Sequence, residues 1–270
     1  MLALVVSTAV ADVELASDAL WTLGVVAIEE RIVANGVELW TSLGDEDDVV
    51  FTTAAERLAR WVWRLEEVDE SVADTWREHA QPVWIDDDLV ICPAWVPFAD
   101  RSGSTVMRIE PGATFGLGDH PTTVLSMRAL RRVVRPGSTV LDVGCGSGVL
   151  SVGSCLLGAA WATAIDVALA SVPVTRANAA ANSVADRIEV STTPLADIDA
   201  QFDIVVANIL APTLIALADD LIRVVAPAGC LIISGVLSDR HEHVETALLP
   251  LRRIARETLD GWAAITLAAE

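Results

Sequence analysis

Residues 141–148 read LDVGCGSG. The apolar run STVLDV leads into this stretch and an apolar helical pattern over 147–158 leads out of it. The glycines therefore occupy a strand-to-helix turn. In an open parallel sheet, ligands bind outside the carboxyl ends of the strands, at such turns.

Further apolar runs follow: AWATAIDV, RIEVST, FDIVVANIL and GCLIISGV. Continuous hydrophobic runs are the mark of strands buried on both faces of a parallel sheet. Helical patterns over 121–134, 168–182, 212–226 and 238–248 separate them. LRRIARETL and GWAAITLAA close the chain as a strand pair. The pattern predicts an α/β, doubly wound sheet with an antiparallel edge over residues 105–270.

The front of the chain differs. LALVVSTA (2–9) reads as a strand rather than a signal peptide, because no basic segment precedes it and Ser7-Thr8 break the apolar run. An amphipathic helix over 13–24 follows, then two strands joined through Ala34-Asn35-Gly36, a hairpin signal. TAAERLARWVWRLEEV (53–68) supplies a second helix and a last strand. The order β-α-β-β-α-β predicts a small α+β, ferredoxin-like domain over 1–72, with a recognition role. Residues 73–104 read as a linker, in which His79 is structural and Asp86-Asp87-Asp88 is a solvated turn.

The glycine turn narrows the cofactor. A dinucleotide fingerprint needs G-x-G-x-x-G with amides aimed at a pyrophosphate. Here Val149 occupies the third glycine's place, and Asp142 before the turn repels phosphate and favours a cation. S-adenosylmethionine has no phosphate and carries a sulfonium and an ammonium. Gly144 and Gly146 let the backbone approach it closely. Asp166 ends the next strand, 22 residues after Gly144, where a carboxylate accepts hydrogen bonds from ribose hydroxyls. Asn208 ends the FDIVVAN strand, where its amide binds the cofactor or orients an incoming amine. The motif is N-I-L-A, without the Pro-Pro-aromatic that grips planar amides and exocyclic amines.

A second stretch, FGLGDHPTTVLS (115–126), precedes the first strand of the sheet. His120 before Pro121 suits a helix cap, and a proton-transfer role for it ranks below that. Cys145 suits a tight turn rather than a nucleophile. His241 and His243 point to different faces of a helix and make no metal site.

The bulk composition excludes other classes. The net charge of −20 argues against nucleic acid. Residues 1–110 hold 22 acidic residues and 7 arginines, against 16 and 11 in residues 111–270, so the acidity sits at the front. Such a surface suits a basic partner. The chain contains no lysine, so no mechanism here uses one of its own. No apolar run reaches the roughly 20 residues that span a bilayer. Four scattered cysteines without C-x-x-C suit a reducing cytoplasm.

Together, FGLGDHPTT, LDVGCGSG, AID and ANILAP resemble the ribosomal protein L-11 methyltransferase family (PrmA), as does the linker WREHAQPVWIDDDLVICPAW. The resemblance covers nearly the whole chain. It implies a Rossmann-like, seven-stranded class I methyltransferase sheet behind a small domain that captures a ribosomal protein. It implies S-adenosyl-L-methionine as cofactor and lysine or N-terminal amines as acceptors. Carried over residue by residue, the cofactor contacts fall on Thr123, Gly144, Asp166 and Asn208; Gly146 joins them from the turn. Asn208 is the expected catalytic residue and no metal is expected. Three departures stand out: Leu117 replaces the family's loop threonine, Val-Ala follows Asp166 in place of a second acid, and the front domain is the least similar part. The alternatives are a related methyltransferase with another acceptor and a non-catalytic S-adenosylmethionine-binding scaffold.

Overall fold

The computed structural model describes residues 2–21, 23, 28–42, 57–67, 80–99, 103–110 and 118–269. The chain divides into two compact units, Met1–Ala80 and Gln81–Glu270.

In the first unit, β1 (Leu2–Thr8), β2 (Glu29–Val33), β3 (Gly36–Ser42) and β4 (Val62–Glu67) form an antiparallel sheet in the order β2-β3-β1-β4. Helix α1 (Val13–Trp21) crosses between β1 and β2. Alternate residues of the strands, Leu4, Val6, Val37 and Leu39, pack with Ala16 and Leu20 of the helix. This is the ferredoxin-like arrangement that the element order predicts. The expected second helix falls largely outside the described residues; its end, from Arg57, turns directly into β4.

The second unit opens with a small sheet of β5 (Val83–Trp84), β6 (Leu89–Pro93) and β7 (Thr105–Ile109), with β6 and β7 parallel. All five residues of β6 are buried. Residues 81–99, read as linker from their prolines and tryptophans, are thus part of this unit. Asp86 caps its own turn by accepting the N–H groups of Asp88 and Leu89, and Arg131 pairs with Asp86 and Asp88.

The main sheet has seven strands: β8 (Thr139–Val143), β9 (Trp161–Ile165), β10 (Ile188–Ser191), β11 (Phe202–Asn208), β12 (Val225–Leu237), β13 (Arg252–Leu259) and β14 (Trp262–Ala268). Their order is β10-β9-β8-β11-β12-β14-β13. β14 runs antiparallel to β12 and β13, and the other pairs are parallel. Order reverses between β8 and β11, so a crevice opens at their carboxyl ends.

The helices are α2 (Pro121–Val133), α3 (Val149–Leu156), α4 (Ser171–Ala181), α5 (Ala211–Ala216), α6 (Ala218–Arg223) and α7 (Glu242–Ala247). The pattern over 212–226 thus resolves into two short helices that meet at Leu217, and Val225 already belongs to β12. Strand alternation sorts the core into two layers. Val140, Ile204, Val206 and Ile232 face α2 and α3, while Leu141, Val143, Val205, Ala207, Leu231 and Ile233 face α5, α6 and α7. Among the described residues, no helix is long and apolar enough to cross a membrane.

Candidate cofactor site

β8 delivers Asp142 into the interior one residue before the strand ends. Its side chain is fully buried. Oδ2 accepts the Ser151 N–H at 3.0 Å and the Ser151 hydroxyl at 2.7 Å. Oδ1 is buried and, among the described residues, has no hydrogen-bond partner. Burial pushes the carboxyl up to about 7, the Ser151 bonds oppose that rise, and the nearby Asp166 charge adds to it. A buried carboxylate oxygen without a donor is expensive alone and suits an incoming cation.

The turn itself uses glycine for stated reasons. Gly144, Gly146 and Gly148 have φ of 76°, 54° and 77°, left-handed values that side chains other than glycine's resist. A Cβ on Gly144 would lie 2.5 Å from Ile209 Cγ2. The Gly144 and Cys145 N–H groups donate to the Ile165 carbonyl at 2.9 and 3.1 Å, which ties the turn to the end of β9.

Asp166 follows β9 and meets the same turn. Its Oδ2 accepts the Gly146 N–H at 2.8 Å and its Oδ1 accepts the Ala168 N–H at 2.8 Å. Each oxygen keeps a second lone pair for a hydroxyl donor. Beyond it, Val167 and Leu169 are exposed.

Asn208 ends β11. Ala207 pairs with Val143 of β8, and Asn208 stands opposite Ser234 of β12. Asn208, Gly144 and Asp166 are thereby brought to one end of the sheet. Ile209, the next residue, is wedged between two glycines: its Cγ2 fills the space at Gly144, and its carbonyl oxygen would be 2.4 Å from a Cβ on Gly235.

Thr123 is buried in the first turn of α2. Its neighbour links that turn to the site, because the Thr122 carbonyl accepts the Ser234 hydroxyl at 3.4 Å. His120 caps α2, with Nδ1 accepting the Thr122 N–H at 3.3 Å and its ring edge-on to Trp262 at 5.2 Å. Burial lowers its pKa, which favours a neutral ring. Residues 115–117, and with them Leu117, lie outside the described residues, as does His79.

Cys145 is buried, and burial drives its thiol far above the usual range, with Asp142 and Asp166 adding to the rise. A thiolate nucleophile is therefore disfavoured there. His241 is the N-cap residue of α7 without a side-chain cap bond; its Nδ1 donates to Glu245 at 2.6 Å, and Arg256 donates to its other nitrogen. Among the described residues, no group of three His, Cys, Asp or Glu could hold a metal ion.

Sequence reasoning missed Ser151, Thr175, Asn178, Ile209 and Gly235, which support the site rather than line it. Thr175 donates to the Gly146 carbonyl at 3.2 Å, and Asn178 donates to the Ser147 carbonyl at 2.8 Å. Their only signal was polar residues three apart on an otherwise small-residue helix.

Residues 39–270 match the family described as ribosomal protein L11 methyltransferase (PrmA). A ribosomal protein L11 methyltransferase of Geotalea daltonii is 41% identical over 214 residues, covering 74% of this chain and 68% of that protein. One of Streptococcus equi subsp. zooepidemicus is 41% identical over 234 residues, covering 83% and 74%. A crystal structure of ribosomal protein L11 methylase from Lactobacillus delbrueckii subsp. bulgaricus is 30% identical, with a TM-score of 0.65 over 71% of this chain and 98% of that one.

Proposed function

The chain belongs to the ribosomal protein L11 methyltransferase (PrmA) family, and on that premise we propose that it methylates lysine or N-terminal amines of ribosomal protein L11 with S-adenosylmethionine. The observation that carries the cofactor reading is Asp142 Oδ1, buried without a partner among the described residues beside a turn of left-handed glycines. A cationic, phosphate-free ligand satisfies that oxygen, whereas a pyrophosphate would be repelled by it.

When bound, S-adenosylmethionine supplies an electrophilic methyl group on a sulfonium. Gly144 and Gly146 admit it closely to the backbone, Asp142 offers a carboxylate to its ammonium, and Asp166 offers lone pairs to ribose hydroxyls. Thr123 contributes a hydroxyl from the first turn of α2. Asn208 presents an amide oxygen that accepts from an incoming amine and aims its lone pair.

The acceptor must be neutral. For lysine, with an ordinary pKa of about 10.4, neutrality at pH 7.4 costs roughly 4 kcal/mol. Exclusion of water and a neighbouring positive charge both lower that cost, so no dedicated base is needed. His120 is occupied as a helix cap.

Residues 1–72 select the substrate, and 105–270 bind the cofactor and carry out transfer, with β5 and β6 packed as part of that unit. The acidic front complements a basic, RNA-binding protein, and the enzyme itself needs no contact with nucleic acid or membrane. The four buried cysteines, none of them in a disulfide, suit the reducing cytoplasm. The family match begins at residue 39, which favours as second reading a related methyltransferase with another acceptor. Calorimetric titration tests the cofactor: S-adenosylmethionine should bind and NADH should not. Binding of cofactor without label transfer to any ribosomal protein would leave the scaffold reading instead.

A further inference from the structure

Asn178 of α4 and Asn182 at its C-cap, one turn apart, do the work of a neighbouring strand. One edge of β7 pairs with β6. Towards its other edge, Asn182 Oδ1 accepts the Arg108 N–H at 2.9 Å and its Nδ2 donates to the Arg108 carbonyl at 2.7 Å. Asn178 repeats the pattern two residues on, at 2.9 Å each with the Glu110 N–H and carbonyl. Each side-chain amide replaces a peptide group.

The second N–H of Asn182 stays on its own helix, donating to the Asn178 carbonyl at 2.8 Å; Asn178 reaches further. Its second N–H donates to the Ser147 carbonyl at 2.8 Å, inside the glycine turn. Thr175, three residues earlier on the same helix face, donates to the Gly146 carbonyl at 3.2 Å. Its Cγ2 also fills the space at Gly148, where a Cβ would lie 2.6 Å away. Two consecutive carbonyls of the turn are thus pinned from one face of α4.

We infer that Asn178 is a positioning residue for the cofactor: with Thr175 it fixes the Gly146 and Ser147 peptides, holding the 144–148 turn in the shape that receives S-adenosylmethionine. This rests on the cofactor reading above. A purely structural asparagine would act as Asn182 does, so Asn182 calibrates the effect.

The test compares wild type, Asn178→Ala, Asn182→Ala and Thr175→Val by S-adenosylmethionine calorimetry, thermal unfolding and cofactor KM and kcat. Asn178→Ala and Asn182→Ala should lose similar Tm. Asn178→Ala should raise the cofactor Kd about tenfold, or about 1.4 kcal/mol, and raise KM with kcat little changed. Asn182→Ala should stay within about twofold of the wild-type Kd, well under 1 kcal/mol. Thr175→Val keeps the methyl group over Gly148 and loses only the hydroxyl, so it should weaken binding several-fold with Tm near wild type. It decides the matter even if Asn178→Ala does not fold. Asn178 and Thr175 variants that bind as tightly as Asn182→Ala overturn the inference. A wild type that does not bind S-adenosylmethionine overturns the cofactor reading and the inference with it.

Discussion

Asp142 and Ser151 are joined twice, through the Ser151 N–H at 3.0 Å and its hydroxyl at 2.7 Å, and both bonds end on the same carboxylate oxygen. The other oxygen has no partner among the described residues. This arrangement sets stability against function at a single side chain.

Asp142→Asn should stabilise the cofactor-free protein and weaken cofactor binding. The folded carboxyl, at about 7, lies above its ordinary 3.8. The folded chain therefore holds the proton more tightly, and this contribution is complete below about pH 4 and lost as pH rises through about 7. At pH 8 the wild type bears a cost of at most about 4 kcal/mol, which Asn removes. Unfolding titrations from pH 4 to 8 should slope less for the variant. Cofactor affinity should rise with pH in the wild type and stay flat in Asp142→Asn.

Gly235→Ala should lower turnover more than cofactor affinity. Gly235 has φ of 83° in the bulge of β12, against the Ile209 carbonyl. A methyl group there displaces Ile209 and, through it, Asn208. Misplacement on the order of 1 Å costs up to about a hundredfold in rate, so steady-state kinetics should show kcat falling tenfold or more.

Asn208→Ala should lower kcat by about a hundredfold, the scale of a lost positioned polar group at a reacting centre. Thermal unfolding should change little, because Asn208 is only partly buried at the strand end.

Ala228→Gly should raise stability. Ala228 is exposed and has φ of 87°, a conformation that costs an alanine about 1 kcal/mol. A denaturation midpoint above wild type, with unchanged activity, is the expected result.

The sequence made the sheet legible because its buried strands are continuous apolar runs, and three of them carry a polar residue with chemistry at or beside their carboxyl ends: Asp142, Asp166 and Asn208. It hid β5 and β6, whose short strands lie among prolines and tryptophans that read as connector. The split at Leu217 was hidden too, because the apolar periodicity runs on while the backbone leaves the helical region there (ψ 6°). Of the proposed site, Gly144, Gly146, Asp166 and Asn208 were singled out from type and spacing, and they stand at one end of the sheet. Ser151, Thr175, Asn178 and Gly235 were not, because their roles depend on contacts between segments far apart in the chain. Leu117 and the FGLG half of its loop fall outside the described residues.

The most direct measurement is intact-protein and peptide mass spectrometry of purified, unmethylated L11 after incubation with this protein and S-adenosylmethionine. The account predicts mass increments of one methylene each, on lysine or N-terminal amines, that require the cofactor and accumulate about a hundredfold more slowly with Asn208→Ala. L11 left unmodified, while the protein binds S-adenosylmethionine and labels another acceptor, would contradict it.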